Sequence, residues 1–259
     1  MRTVTATRYV TPLREGGSLP AIVEASDDGL YVVKFRASGH RTKALVAELV
    51  TGELARAAGL RVPEIVLVEV DSALGRNEPD SEIRDLLKGS VGLNVALDYL
   101  PGSITFDPVA GPAPPADEAS AIVWMDAFAS NIDRTARNPN LLSWHGQLWL
   151  IDHGSSLYFH HAWGGERALG RDPFAAVKDH VLLRWASRLA ETGERIAPRL
   201  GAATVEAVLA GIPDDWLTDE ARFATPSAHR AAYAGYLARR LEAAPIFLEE
   251  ARRARDGIV

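Results

Sequence analysis

Two short segments combine polar side chains in a spacing that could hold a metal ion and a phosphate. Residues 131–142 read NIDRTARNPNLL, and residues 148–154 read LWLIDHG. Each segment places an aspartate, Asp133 or Asp152, near an apolar run, and the first also contains Asn138 and Asn140. Carboxylate and amide oxygens suit a hard cation such as Mg²⁺, which takes one or two carboxylates together with substrate phosphates. If the two apolar runs pair as a hairpin, these oxygens meet at one end of it.

Asp133 is the candidate for orienting or deprotonating an attacking hydroxyl group, because a carboxylate can accept that proton during phosphoryl transfer. The simpler interpretation of Asp133 is a helix cap, and that of Asp152 is a cap or an Asx turn. Neither accounts for the pairing of the two segments. Arg134 could pair with a phosphate or with an acidic main-chain corner. The simpler interpretation is an exposed arginine.

A second group of candidates lies in the first fifty residues. Lys34 falls within an otherwise apolar strand, where an ammonium group without an anion is costly. Glu48, in the following helix, is the candidate partner and would direct Lys34 at phosphate oxygens. The alternative is that Lys34 lies on the wet face of an edge strand and that Glu48 is exposed. Upstream, a loop with Gly16, Gly17 and Ser18 could bring backbone amides close to phosphates, although a Gly-Gly pair is also common in flexible hairpins.

Composition and charge exclude several classes of function. The chain of 259 residues is long enough for one large domain or two packed lobes. A net charge of -6 and the lack of a long basic run argue against nucleic-acid binding. The chain has no cysteine, and therefore no disulfide, thiolate zinc site or cysteine nucleophile. No apolar run reaches the roughly 20 residues that span a bilayer, so we expect a cytoplasmic protein without a membrane span.

The pattern of apolar residues predicts an α+β protein with a strand-rich first part and a helical second part. Candidate strands are residues 4–9, 21–25, 30–35, 65–70 and 95–99. One helix interrupts them, at residues 43–58 before Gly59. The proline-rich residues 107–115 predict a loop, and a helix that opens at Asp117 leads to the 131–142 segment. Further helical runs are expected at residues 174–191, 194–200, 203–209 and 229–253, with breaks at Pro198 and Pro245.

The order of these features resembles that of protein kinases. The features are Lys34 on a strand, Glu48 on the next helix, the hinge-like residues 96–101, the loop at 131–134 and the Ile-Asp-His-Gly sequence at 151–154. Together they resemble the HipA-like kinase family, which has the protein-kinase-like fold and is related to phosphatidylinositol 3- and 4-kinases. Residues 47–63 are also similar to the HipA segment that joins helix and strand.

The resemblance implies a bilobal fold, with a small β-rich N-lobe of one helix in residues 1–100 and a mainly helical C-lobe in residues 101–259. It also implies that ATP and Mg²⁺ are bound. In that arrangement Lys34 contacts the ATP phosphates and Glu48 holds Lys34, while Gly16, Gly17 and Ser18 lie over the nucleotide. Asp133 is then the catalytic base and Asp152 a ligand of Mg²⁺. The adenine site is expected at Ala96, Leu97, Asp98, Tyr99 and Leu100.

Two positions depart from the usual kinase pattern. Asn138 has the usual separation from Asp133, whereas Asn140 directly precedes the apolar strand, as the second metal ligand of kinases does. Both asparagines therefore stay candidates for the second metal ligand. Compared with the usual pattern, the loop has an extra segment that contains Pro139. His153 follows Asp152 where phenylalanine is usual, which leaves the packing at that position open.

The predicted function is the transfer of the γ-phosphoryl group of ATP to a hydroxyl acceptor, with serine or threonine of a protein as the favoured acceptor. One alternative is a kinase of small molecules or lipids on the same fold, because a fold does not determine a substrate. The others are nucleotidyl transfer, with ATP bound in the opposite orientation, and a nucleotide-binding pseudokinase without turnover. No nucleic-acid partner is expected.

Overall fold

The structure is a computed structural model that describes residues 1–13, 19–39, 41–76, 78–165 and 169–258, without the side chain of Arg41. Gly16, Gly17 and Ser18, which were predicted to approach phosphates, lie outside the described residues.

The first hundred residues form a closed five-stranded barrel. Its strands are β1 (Thr3–Pro12), β2 (Ala21–Ala25), β3 (Leu30–Lys34), β4 (Ile65–Val70) and β5 (Gly92–Asp98), in the order β1-β2-β3-β5-β4. All neighbours are antiparallel except β1 and β4, whose parallel pairing closes the barrel. Alternate residues point inward, so that Val23, Val33 and Val68 fill the interior.

Helix α1 (Arg41–Ala58) packs against the outer face of β4 and β5. Its apolar side chains, among them Leu45, Leu49 and Leu54, are buried against Ile65 and neighbouring strand residues. The helix ends before Gly59, whose φ of +92° is a conformation that side chains other than glycine rarely adopt. The predicted helix and its stop therefore match the structure closely.

A second helix, α2 (Ser81–Gly89), also lies within the first hundred residues, so the prediction of one helix there is wrong. The Asp80 side chain caps it by accepting a hydrogen bond from the amide of Glu82 at 2.9 Å. Ile83 and Leu87 are its buried residues. A segment of only nine residues is shorter than the window of roughly 11–18 residues over which helical periodicity is judged, which is why the sequence pattern missed it.

Helix α3 (Ala116–Ala129) follows the proline-rich loop and lies in the centre of the molecule, with every residue from 119 to 129 buried. It ends at Ser130, which has a left-handed φ of 54°. The chain then passes through the 131–140 loop into a hairpin of β7 (Leu141–Trp144) and β8 (Gln147–Leu150), in which Leu141 pairs with Leu150. The short strand β6 (Ile104–Thr105) extends this hairpin to three strands.

The remaining chain is mainly helical, as expected, but less regular than predicted. Residues 174–191 contain two short 3-10 turns, Ala175–Asp179 and Leu183–Trp185, in place of one helical run. The regular helices are α4 (Leu189–Ile196), α5 (Ala202–Ala210), α6 (Pro226–Glu242) and α7 (Ala244–Asp256). Pro245 lies in the first turn of α7 and separates it from α6. In the described part of the chain, no helix is both long and apolar enough to cross a membrane.

Two hydrophobic cores hold these elements together. The smaller one fills the barrel. The larger one runs from α1 and the outer face of β4 and β5 through α3 and the β7–β8 hairpin into the C-terminal helices. The chain is thus an α+β protein whose N-terminal sheet shares its outer face with the helical remainder.

Candidate active site

Lys34, Glu48 and Asp152 meet between the barrel and the β7–β8 hairpin. Lys34 ends β3, Glu48 lies on α1, and Asp152 follows β8. The Lys34 Nζ lies 2.5 Å from Glu48 Oε2 and also contacts Asp152 Oδ1. Because β3 is an interior strand of a closed barrel and the Lys34 side chain is 11% exposed, the alternative of a solvated edge-strand lysine is wrong.

Both ends of the Lys34–Glu48 pair are charged at neutral pH. Burial lowers the pKa of Lys34, but the Glu48 and Asp152 carboxylates outweigh burial and raise it above its usual value. Burial likewise raises the pKa of Glu48, while the Lys34 ammonium and His153 bring it down to about 2. A buried charge is tolerated only when it is paired in this way.

Asp133 lies in the loop before β7, with the amide groups of two asparagines on its carboxylate. Asn138 Nδ2 donates to Asp133 Oδ2 at 2.8 Å, and Asn140 Nδ2 donates to the same oxygen at 3.3 Å. The pKa of Asp133 is raised by partial burial and by the nearby charge of Asp152, against the effect of both amides. The two predicted aspartates are therefore close enough to repel each other.

The hairpin places Asn140 beside Asp152. The Ile151 amide donates to the carbonyl oxygen of Asn140 at 3.1 Å, which joins the chain just before β7 to the chain just after β8. Asn140 and Asp152 both adopt left-handed backbone angles, with φ of 49° and 55°. This conformation costs roughly 1 kcal/mol or more for residues other than glycine, and asparagine and aspartate bear it best. The cost at both positions indicates that their side chains are held in a required direction.

Arg134 is almost completely buried and holds the loop of residues 131–140 against the protein interior. Its Nε lies 2.5 Å from Asp126 Oδ2, and its Nη1 donates to the carbonyl oxygens of Asn140 and Ile151. Because the Arg134 side chain is almost completely buried, the interpretation as an exposed arginine is wrong. The interpretation as a partner of an acidic main-chain corner is the closer one.

The network behind Arg134 contains two residues that the sequence analysis missed, Asp126 on α3 and His180. The Leu182 amide donates to His180 Nδ1 at 3.0 Å, so the proton of the neutral ring is on Nε2, which lies 3.0 Å from Asp126 Oδ2. Burial lowers the pKa of His180 and keeps the ring neutral. Burial alone would raise the pKa of Asp126, but Arg134 and His180 hold it well below its usual value. A lone aspartate in the apolar sequence IVWMDAFA was the available signal for this network.

Comparison with known proteins adds the family. The sequence model described as HipA-like kinase matches residues 7–243, which is most of the chain. The chain belongs to the HipA-like kinase family. It is accordingly a kinase. A search of curated protein sequences gave no match.

Solved kinase structures share the fold. The Helicobacter pylori proinflammatory kinase CtkA superimposes with a TM-score of 0.58 at 13% identity, covering 95% of this chain and 99% of that one. A Golgi casein kinase superimposes with a TM-score of 0.50 at 13% identity, covering 96% of this chain and 71% of that one. At such low identity these likenesses show that the chain of this HipA-like kinase has a kinase-like fold.

The residues predicted to line the adenine site of this HipA-like kinase divide between two faces of β5. Leu97 lies on the same face as Lys34, since Lys34 pairs with Val95, two residues away on the strand. Ala96 points into the barrel interior. Asp98 pairs with Tyr31, whose side chain also faces inward. This alternation leaves only the main chain of Ala96 and Asp98 to contact a nucleotide on the Lys34 face, and the adenine site stays a prediction.

Beyond β5, the predicted adenine residues Tyr99 and Leu100 are partly buried and buried, respectively. The Tyr99 amide donates to the carbonyl oxygen of Leu30 at 2.9 Å, and the Asp98 amide to that of Glu64 at 2.8 Å. Both backbone donors are therefore already used within the protein.

The predicted metal ligands are Asp152 and either Asn138 or Asn140, and the structure places the amides of both asparagines on the carboxylate of Asp133, the predicted base. Asp133 is partly buried, Asn138 is exposed and Asn140 is buried. The Asp152 side chain is 43% exposed. Among the described residues, no cluster of three or more His, Asp or Glu side chains has the geometry of a self-sufficient metal site. Such a centre fits a cation that completes its shell with water and phosphate oxygens.

Proposed function

We propose that the protein is an ATP- and Mg²⁺-dependent phosphotransferase that transfers the γ-phosphoryl group to a hydroxyl acceptor. Residues 1–100 would form the nucleotide-binding lobe and residues 101–259 the lobe with the catalytic loop. The observation that carries the proposal is the position of Lys34 between Glu48 and Asp152, because it joins the barrel to the hairpin next to the Asp133 loop.

Lys34 would bind the phosphates of ATP. Its ammonium group is held by Glu48 from behind, and Asp152 is its second and more exposed partner. Phosphate oxygens can replace the Asp152 carboxylate as partners of Lys34 without leaving Glu48 unpaired. Asp152 is then free to bind the metal.

Asp133 would accept the proton of the acceptor hydroxyl. Its raised pKa makes it a better base than an ordinary aspartate. Asn138 and Asn140 donate to one oxygen, Oδ2, and thereby fix the direction of the other oxygen toward the acceptor.

Asp152 and Asn140 would hold the metal, with Asn138 as the residue that orients Asp133. The reason is that Asn140 is buried at the end of the hairpin beside Asp152, whereas Asn138 is exposed. The residues fit a divalent cation, since Asp133 and Asp152 repel each other in its absence. Bound Mg²⁺ would supply neutralisation of the charge that develops on the phosphoryl oxygens.

Leu97 and Leu100 would contribute apolar surface to the adenine site, together with the partly buried Tyr99. Leu97 shares the face of Lys34. The glycine loop at Gly16 and Gly17 is retained as a further phosphate-binding element on sequence position alone.

Labelled nucleotides test the reaction type. The full chain is incubated with Mg²⁺ and either γ-labelled or α-labelled ATP, with general protein substrates as acceptors. We expect transfer of the γ label only. Transfer of the α label would mean nucleotidyl transfer, and ATP binding without transfer of either label would favour a pseudokinase. Chemically, all three outcomes are compatible with this fold.

Variants then test the roles. Asp133→Ala should abolish transfer while ATP affinity stays close to that of the wild type, and Lys34→Ala should weaken ATP binding itself. Arg252→Ala on α7, an exposed residue paired with Glu249, is the matched control and should change neither quantity. Unchanged turnover in Asp133→Ala would overturn the assignment of the base.

The acceptor is proposed to be serine or threonine of a protein. Parallel reactions with a protein mixture, phosphoinositide vesicles and small hydroxyl compounds separate this from the alternatives. Protein-bound label that is stable to neutral hydroxylamine, and that is recovered as phosphoserine or phosphothreonine after hydrolysis, would support a protein acceptor. Label found only in lipid or only in a small molecule would replace it.

A further inference from the structure

His153 makes a contact for which the proposed function gives no reason. The residue directly follows Asp152, and its side chain is completely buried against α1. Its Nδ1 lies 3.4 Å from Glu48 Oε1, the carboxylate oxygen that Lys34 does not take. Lys34 contacts both Glu48 and Asp152, so the four residues close a ring that joins α1, β3 and the turn after β8.

Hydrogen-bonding capacity assigns a direction to this contact. Glu48 is ionised and can only accept, so the His153 Nδ1 must donate. Within the described part of the chain, the buried Nε2 has no hydrogen-bond partner. A ring with a proton on Nδ1 satisfies the carboxylate, and a phenylalanine at this position would leave Glu48 Oε1 without that donor.

Gly52 on helix α1 lies next to the His153 ring. Gly52 lies four residues after Glu48 and therefore on the same face of the helix. A Cβ atom at Gly52 would lie 2.4 Å from Ile65 Cδ1 and 3.6 Å from His153 Nδ1. The small residue thus lets Ile65 on β4 approach the helix closely, and the His153 ring lies at ordinary contact distance from the same position.

We propose that His153 is a positioning residue that ties the Asp152 turn to Glu48, and through Glu48 fixes the place of the Lys34 ammonium. This inference rests on the proposed function, since it concerns how the same site binds ATP. Its consequence is that Asp152 and α1 take up their positions together. A turn that carries Asp152 away from the site would also withdraw a donor from Glu48 and loosen Lys34.

A pair of isosteric variants tests this. In His153→Asn the side-chain amide lies near the position of Nδ1 and can still donate to Glu48, whereas in His153→Gln it lies near Nε2, which makes no such contact. We expect the KM for ATP to stay near the wild-type value in His153→Asn. In His153→Gln and His153→Phe it should rise on the order of tenfold, with the KM for the acceptor unchanged. His229→Gln, the same change at a buried histidine whose Nδ1 donates to the carbonyl oxygen of Leu217, is the control and should leave the KM for ATP unaltered.

Wild-type KM values for ATP in both His153→Gln and His153→Phe would overturn the proposal, as would an equal rise in His153→Asn and His153→Gln. If the variants do not fold, nitrogen NMR of the labelled wild-type protein decides. We expect the His153 ring to carry a proton on Nδ1, and an Nδ1 without a proton would overturn the proposal.

Failure of the proposed function gives a different result. In that case the wild-type chain would transfer no γ label, and Lys34→Ala would leave ATP binding unchanged. Failure of the His153 proposal alone leaves both of those results intact, and the NMR measurement does not depend on activity at all.

Discussion

At the scale of single residues, the site is organised by charges that would be unfavourable in isolation. The Glu48 carboxylate is fully buried and stays ionised because Lys34 and His153 face it. Asp133 shows the opposite effect, since burial and the charge of Asp152 raise its pKa. Two carboxylates in one site thus have pKa values displaced in opposite directions, an arrangement common in active sites.

Asn138→Ala and Asn140→Ala distinguish the two candidate metal ligands. Asn140→Ala should raise the Mg²⁺ concentration needed for half-maximal transfer by about tenfold or more, because it removes a proposed ligand oxygen. Asn138→Ala should change that requirement little. The check is a titration of initial rate against Mg²⁺ at saturating ATP, and equal Mg²⁺ requirements in both variants and the wild type would rule out both asparagines as ligands.

The pH dependence of transfer reports Asp133. Because the carboxylate must be ionised to accept a proton, activity should fall as pH decreases through its raised pKa, at a pH above the usual value for aspartate. Asn138 donates to the ionised form and lowers that pKa. In Asn138→Ala the acidic limb of the kcat profile should therefore move to higher pH. A limb that stays in place or moves to lower pH would contradict the role of Asn138.

At the scale of elements, the segment of residues 214–220 links the C-terminal region to the N-terminal barrel and α1. Trp216 is buried and donates to the carbonyl oxygen of Leu93 at 3.2 Å. Asp215 pairs with Arg36 just after β3 at 2.7 Å, and Glu220 pairs with Lys43 on α1 at 3.2 Å. These contacts hold the elements that carry Lys34 and Glu48 against the rest of the molecule.

An exchange of charges measures this link. Arg36→Asp and Asp215→Arg should each destabilise the protein, and the double variant should recover stability with a coupling energy of about 0.5–1 kcal/mol, the upper range for a partly exposed pair. The measurement is urea unfolding of the four proteins in the cycle. The pair of Arg252 and Glu249 within α7 is the control and should give a smaller coupling of about 0.3 kcal/mol. Equal coupling energies in the two cycles would show that the Arg36–Asp215 pair stabilises the protein no more than the exposed Arg252–Glu249 pair does.

At the scale of the whole molecule, the large core crosses the boundary between the barrel and the helical remainder. Side chains of α1, β4, α3 and the C-terminal helices belong to one buried cluster. The buried charges of the site lie at this junction. Loss of their ionisation should therefore affect the stability of the entire fold and not of one part alone.

Acid unfolding follows from the pKa values. The pKa of Glu48 lies at about 2 in the folded protein, below its ordinary 4.5, so Glu48 contributes to the free energy of unfolding above pH 4.5 and this contribution is lost as pH falls toward 2. The lowered pKa values of Asp126 and His180 act in the same direction. The urea midpoint should fall between pH 5 and pH 3, and it should fall less in Glu48→Gln. An equal fall of the urea midpoint between pH 5 and pH 3 in Glu48→Gln and the wild type would show that Glu48 does not contribute in this way.

Much of the fold could be predicted because strands and long helices depend on local pattern. The five barrel strands, α1 with its stop at Gly59 and the break before Pro245 follow from alternation, helical periodicity and backbone restriction. The capped helix α2 and the irregular chain at 174–188 could not be predicted in that way. Their conformations depend on contacts with distant residues, such as the hydrogen bond from the Val181 amide to the carbonyl oxygen of Arg134 at 3.0 Å.

For the site, the amino-acid sequence determined the types and order of the polar residues, and with them Lys34, Glu48, Asp133 and Asp152 as candidates. The tertiary structure alone decided which faces they share. Strand alternation turns Ala96 into the barrel, and burial pairs Arg134 with Asp126 on α3. The same burial brings His153 to Glu48, 105 positions away in the chain. Order along a chain is a local property, whereas direction and partners of a buried side chain depend on which distant groups can satisfy its charge and hydrogen bonds.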